Sequence, residues 1–163
     1  NRPLQQHPGC NALDDDERNV VVQHEALHVG IATQTDDGLM VPVVRHAEAR
    51  DVWDCANEMR RVSQAAREKT ATTEELSGST ITITSLGALG GLGATPIINH
   101  PEVAIIGVHK AEERAVVRDS NIVVRRMMNL SGSFDHRVVD GYNGARMMQT
   151  LKQMLEHPAT IFI

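Results

Sequence analysis

Aromatic residues are nearly missing from this chain: Trp53, Tyr142, Phe134 and Phe162 make up 2% of its 163 residues. A core without rings must be aliphatic, built from Val, Ile, Leu, Ala and seven Met. Modules that read single-stranded nucleic acid by stacking bases on aromatic platforms are excluded on the same ground. Basic residues are not in excess either. The net charge of −5 argues against a binder of phosphate backbones, so no nucleic-acid partner is expected. No apolar run approaches the roughly 20 residues that span a bilayer, and no membrane partner is expected. The two cysteines, Cys10 and Cys55, form neither a C-x-x-C pair nor a disulfide framework and read as free thiols of a reducing compartment. The opening Asn1-Arg2-Pro3-Leu4 has no charged-then-apolar leader pattern and no initiator Met. What remains, 41% hydrophobic and 23% charged, is the composition of a globular chain, and its length suits one domain.

The order of patterns predicts a mixed α/β domain with more strands than helices. The first 19 residues are polar, punctuated by Pro3, Pro8 and Gly9 and by an acidic run. Residues 20–33 are β-branched and loosely alternating, Asp36-Asp37-Gly38 is a turn signal, and 39–44 resume as strand, so two neighbouring strands or a hairpin are expected. Between Asp51 and Lys69 the period changes. Val52, Cys55, Ala56, Met59, Val62 and Ala66 recur at three- and four-residue steps and predict one apolar helix face, with Arg60, Arg61, Gln64 and Arg67 on a solvated side. Residues 79–85 alternate Thr and Ile, and 103–108 are a buried-type strand. Residues 115–118 and 122–125 flank Asp119-Ser120-Asn121 as a hairpin, and 127–134 form a further strand. Residues 144–156 predict a last helix with Ala145, Met148, Leu151 and Leu155 inward, stopped before His157-Pro158. The apolar end Ile161-Phe162-Ile163 is expected to dock against another surface.

Three stretches could carry chemistry. His24-Glu25-Ala26-Leu27-His28 spells H-E-x-x-H, which binds zinc only when a helix puts both imidazoles on one face. In a β-type run the two rings stand about 13 Å apart at about 3.3 Å per residue, too far for two zinc bonds of about 2 Å. No metal site is expected there. The glycine-rich stretch Gly87-Ala88-Leu89-Gly90-Gly91-Leu92-Gly93 follows a strand, but its spacing breaks the dinucleotide fingerprint and Pro96 and Pro101 preclude the required helix. It reads as a tight loop that lets backbone approach a neighbour closely. The third stretch is Ser131-Gly132-Ser133-Phe134-Asp135-His136-Arg137-Val138-Val139-Asp140-Gly141. A histidine just past an apolar strand, bracketed by Asp135, Arg137 and Asp140, suits general-base work near neutral pH. Many such histidines simply complete hydrogen-bond networks.

Asp135-His136-Arg137-Val138-Val139-Asp140-Gly141 resembles the D-H-R-x-x-D-G signature of the dihydrolipoyl acyltransferase components of 2-oxo-acid dehydrogenase complexes. The likeness continues in order along the chain. It takes in Asn11-Ala12 with the acids that follow, His28-Val29-Gly30-Ile31-Ala32, Gly38-Leu39-Met40-Val41-Pro42-Val43, Thr82-Ile83-Thr84-Ser85-Leu86-Gly87, Pro101-Glu102-Val103-Ala104-Ile105 and residues 143–163. Ser85-Leu86-Gly87-Ala88-Leu89-Gly90-Gly91 is most similar to the bacterial branched-chain type.

The resemblance implies a chloramphenicol-acetyltransferase-like fold, in homotrimers that build a cubic or dodecahedral core, with the active site in a channel between two subunits. It implies acyl transfer between dihydrolipoamide and coenzyme A. His136 would be the base on the thiol, and Thr84, where the family often carries serine, would hold the oxyanion. Asp140 would support the site, while Asp135 and Arg137 hold the loop. Gln34, Ser63, Ser85 and Gly107 match positions near coenzyme A, although a helix-surface hydroxyl is an equally good reading of Ser63. The lipoyl group would come from a separate lipoyl domain, and the decarboxylase and dihydrolipoyl dehydrogenase components would be partners. The compartment would be bacterial cytoplasm or the mitochondrial matrix. Against the family's pattern, residues 1–163 read as a catalytic domain without its amino-terminal helix and strand, and without lipoyl or subunit-binding domains. The alternative reading is a catalytically silent core or scaffold fragment.

Overall fold

The computed structural model describes residues 2–161. Along the chain run α1 (Arg2–Gln6), β1 (Ala12–Asp15), β2 (Val20–Gln23), β3 (Val29–Ile31), β4 (Thr33–Thr35), β5 (Gly38–Met40) and β6 (Val43–Val44). There follow α2 (Val52–Arg67), β7 (Ile81–Ser85), β8 (Ala104–Val108), β9 (Glu112–Arg118), β10 (Asn121–Met127), β11 (Leu130–Phe134) and α3 (Gly141–Glu156). The mixed α/β expectation holds. Phe162 and Ile163, two of the three residues expected to dock, lie outside the described residues. No helix among the described residues is long and apolar enough to cross a membrane.

The central sheet has the order β11-β8-β7-β3-β6. β7 runs parallel to β3 and β8, whereas β6 and β11 are antiparallel edges. Pleating sends alternate side chains to opposite faces. Val29, Val44, Ile81, Ala104 and Ile106 therefore share one face, and they join Val62 of α2 and Met147 of α3 in the hydrophobic core. The other face carries Thr82, Thr84, Gly107, Ser131 and Ser133. The Thr/Ile alternation of residues 81–85 thus separates an aliphatic face of the sheet from one that carries hydroxyls. β4 and β5 form the hairpin expected around Asp36-Asp37. β9 and β10 form the second, turned by Asp119 and Ser120, both at positive φ.

Three local expectations are corrected. The strand expected over 20–33 breaks at His24–His28, where side chains take over part of the backbone bonding. Asn11 Nδ2 donates to the carbonyls of His24 (2.7 Å) and Ala26 (3.1 Å), and Leu27 N–H donates to Glu48 (2.8 Å). The apolar stripe of α2 is fully covered only at its carboxyl half, while Cys55 packs partly buried against the core. Val62 and Ala66 are buried while Val52 and Met59 are exposed. On α3 Met148 and Leu151 pack against the core as expected, but the fully buried positions are Gly144 and Met147, and Ala145 and Leu155 are exposed. The cause is the one large ring in the sheet: a Cβ on Gly144 would meet Phe134 at 3.0 Å, and one on Gly132 at 2.8 Å. The helix turns its smallest residue to the ring and begins three residues early, at Gly141, where Asp140 caps it by accepting the Asn143 N–H at 2.7 Å.

One carboxylate sits deep in this frame. Glu102 is 2% exposed, and its Oε1 accepts from Ser79 (2.5 Å), Thr82 (2.8 Å) and Asn99 (3.0 Å) while Oε2 is buried without a partner among the described residues. Burial raises its pKa above the usual carboxylate range. The folded state then keeps a proton that the unfolded chain releases, so stability is full at pH values below the ordinary carboxylate pKa and falls as pH rises toward the raised one. Urea midpoints measured across that interval should fall for the native chain. Glu102→Gln, which keeps the acceptor and cannot ionise, should flatten the trend, and parallel curves for the two proteins would contradict the assignment.

Candidate active site

The residues singled out by sequence gather at two places. At the carboxyl ends of the parallel strands, Thr84 lies opposite Gly107, with Ser85 next to it on β7. Gln34 is exposed on β4, the segment that continues β3 past this end of the sheet, where Ala32 N–H donates to the Ile83 carbonyl at 2.9 Å. Ser63 is buried on α2, 3.4 Å from the Thr33 hydroxyl, so the helix-surface reading of this serine is overturned. Ser85 is exposed, and its Oγ accepts the Gly87 N–H at 3.1 Å, pinning the entry of the glycine-rich loop. Thr84, Ser85, Gly107, Gln34 and Ser63 therefore surround one end of the sheet.

His136 and Asp140 lie at the other end. The turn after β11 is tied to the start of β8, where Asp135 N–H donates to the Val103 carbonyl at 2.8 Å. Thr84 stands level with Gly107, four residues along β8, so about 13 Å of strand separates the two levels at about 3.3 Å per residue. β7 and β11 also flank β8 on opposite sides. His136 and Thr84 of one chain cannot share a reacting group.

The loop that carries His136 is held by charge. Arg137 Nη2 reaches Asp135 Oδ2 at 2.7 Å, and its Nε lies 3.1 and 3.2 Å from the two carboxylate oxygens. Its Nη1 donates to Asp16 at 2.9 Å, and Nη2 makes an ion-pair contact with Asp14 Oδ2 at 2.6 Å. Hydrogen bonding to Arg137 holds the Asp135 pKa below the usual range. The acidic run of β1 is thus a partner of the loop, which only the pairing of distant segments reveals. His136 is exposed, and its side chain makes no hydrogen bond among the described residues, leaving the imidazole open to a ligand.

The H-E-x-x-H stretch forms no helix, so its rings lack the one-turn spacing that zinc requires. His28 Nδ1 accepts the His46 N–H at 3.1 Å, and burial lowers the His28 pKa. Among the described residues no group of three or more His, Cys, Asp or Glu side chains could hold a metal ion.

Residues 2–163 match the family model of the 2-oxoacid dehydrogenases acyltransferase catalytic domain. The chain is 59% identical over 160 residues to the lipoamide acyltransferase component of the branched-chain alpha-keto acid dehydrogenase complex of Pseudomonas aeruginosa. The match covers 98% of the chain and 37% of that relative's length. Among solved structures, dihydrolipoamide acetyltransferase of Azotobacter vinelandii, studied for the roles of a serine, a histidine and an asparagine in its catalytic mechanism, superposes with a TM-score of 0.93 at 36% identity. It is covered to 66%, and 98% of this chain is matched. The cubic core of a pyruvate dehydrogenase multienzyme complex also superposes with a TM-score of 0.93, at 35% identity and the same coverages. Chloramphenicol acetyltransferase, at 14% identity and a TM-score of 0.59 over 94% of this chain and 72% of its own, shares the fold alone. With the D-H-R-x-x-D-G turn seated beside a mixed sheet of that fold and a family match spanning the described residues, this chain belongs to the 2-oxoacid dehydrogenase acyltransferase catalytic-domain family.

Proposed function

We propose that the protein moves an acyl group between dihydrolipoamide and coenzyme A within a 2-oxo-acid dehydrogenase complex of the branched-chain type. The observation that carries the reading is a spacing. The serine, histidine and asparagine studied in the Azotobacter relative stand at the same intervals as Thr84, His136 and Asp140. Thr84 keeps the hydroxyl and adds a methyl, and Asp140 replaces an amide with a carboxylate.

In this reading the His136 imidazole takes the proton of the coenzyme A thiol, and the thiolate sulfur attacks the thioester carbonyl carbon of acyl-dihydrolipoamide. The Thr84 hydroxyl donates to the oxyanion of the tetrahedral intermediate. Collapse breaks the bond to the dihydrolipoamide sulfur, which leaves as a thiolate and recovers the proton from the imidazolium. Asp140 supports the site by capping α3 and so fixing the far side of the His136 turn. Gln34, Ser63, Ser85 and Gly107 lie beside Thr84 and serve the coenzyme A side. No metal takes part, and the lipoyl group arrives on a separate lipoyl domain. The decarboxylase and dihydrolipoyl dehydrogenase components are the partners, in bacterial cytoplasm or a mitochondrial matrix.

Because His136 and Thr84 of one chain stand at opposite ends of the sheet, the reaction needs His136 of one subunit to face Thr84 of the next. A homotrimer within a cubic or dodecahedral core meets that need by closed symmetry. Exposed apolar side chains support the assembly: Leu89 and Ile97 are 93% and 90% exposed, and Val117, Ile122 and Val124 line one face of the β9–β10 hairpin. Light scattering should therefore give the mass of a trimer or a multiple of it. A monodisperse, active monomer would overturn the shared site. The activity itself is tested by coenzyme A acylation with a panel of straight and branched acyl-dihydrolipoamides. Assembly without turnover on every member would favour the silent scaffold instead.

A further inference from the structure

A polar pair not used by this mechanism lies beside Thr84. Thr84, Gly107 and Ser131 form one row across β7, β8 and β11 and face the same side of the sheet. Gly107 leaves the middle of the row open, and two side chains lean into it. A Cβ on Gly107 would meet Ser131 Oγ at 2.5 Å and His109 Nε2 at 3.3 Å. The two are bonded to each other, His109 Nε2 to Ser131 Oγ, at 2.8 Å.

His109 is 9% exposed although it stands just past the end of β8. Its backbone N–H donates to the Asn129 carbonyl at 3.1 Å, and Asn129 Nδ2 donates to the Leu92 carbonyl of the glycine-rich loop at 2.5 Å. Burying an imidazole costs free energy that an apolar residue of the same volume would not, unless its hydrogen bonds repay it. Here the bond goes to a half-buried hydroxyl that borders the Thr84 surface.

We propose that Ser131 is a second hydroxyl donor of the acyl-transfer site and that His109 is its positioning residue. The inference rests on the acyl-transfer reading of Thr84. With the proton on Nε2, the imidazole donates to Ser131 Oγ. The serine proton is then turned away from His109, along the row toward Thr84, where a carbonyl oxygen of the substrate would accept it. That oxygen is either the thioester oxygen, whose charge grows in the transition state, or an amide oxygen of the coenzyme A arm. No covalent bond forms or breaks in this role. Glycine suits the position because a Cβ at 107 would displace Ser131 Oγ and press on His109.

The test compares Ser131→Ala, Ser131→Thr, His109→Leu, His109→Gln and Ser131→Ala/His109→Leu in the assembled protein, with coenzyme A and acyl-dihydrolipoamide as substrates. Ser131→Ala and His109→Leu should each lower kcat/KM by about tenfold, the scale of one lost hydrogen bond. The double variant should be no worse than either, and Ser131→Thr and His109→Gln should recover most of the rate. A loss confined to kcat identifies the thioester oxygen, and a rise in KM for coenzyme A alone identifies the amide. Full activity in Ser131→Ala overturns the proposal, as do losses that multiply in the double variant. Thr84→Val and His136→Ala, run alongside, separate the two levels. If those two keep full rate, the acyl-transfer reading itself has failed. If they lose rate and Ser131→Ala does not, only the second donor has.

Discussion

His136→Ala should lower acyl transfer by roughly 100- to 10,000-fold, the range lost when a general base is removed. The fold gives a physical reason to expect this loss without collapse of the domain. His136 is exposed, and the turn that carries it is held by other groups. Arg137 binds Asp135 and Asp16, Val103 accepts the Asp135 amide, and Asp140 caps α3. Removing the imidazole leaves those bonds in place. Single-turnover acylation of coenzyme A should therefore fall, while particle mass and the unfolding midpoint stay at their native values. A variant that transfers acyl groups at the native rate would remove His136 from the mechanism.

Thr84→Val should cost roughly 100- to 1,000-fold, the loss found when one oxyanion donor is removed. Valine keeps the shape of threonine and removes only the hydroxyl, and β-branching suits the β7 position. Thr84→Ser restores the donor and should retain most of the rate. The expected loss lies in kcat, because the hydroxyl meets full negative charge only in the tetrahedral intermediate. Equal rates for the valine and threonine proteins would show that another group holds the oxyanion. A mixture of inactive His136→Ala and inactive Thr84→Val chains, refolded together, should recover part of the rate, since some channels then join one intact residue from each. Recovery is a signature of a site divided between subunits, and its absence would contradict that division.

Local chemistry made much of this fold legible in the sequence. The Thr/Ile alternation of β7 and the Asp119-Ser120 turn read correctly because each depends on near neighbours and on a period of two. The three- and four-residue period of α2 was equally plain, and the histidine turn was legible by its motif. What sequence alone did not determine came from contacts between distant segments. The 24–28 stretch has strand-like composition, yet the Asn11 and Glu48 side chains take part of its backbone bonding. On α3 Met148 and Leu151 meet the core as periodicity placed them, but Phe134 draws in Gly144 where Ala145 was expected. Tertiary structure alone placed Ser63 inside, joined Arg137 to Asp14 and Asp16 and brought His109 to Ser131 over Gly107. It also set His136 and Thr84 at opposite ends of one sheet. Residue type and spacing identify which groups can do the chemistry, but strand order and register decide which of them meet. Here they decide that His136 and Thr84 of a single chain do not.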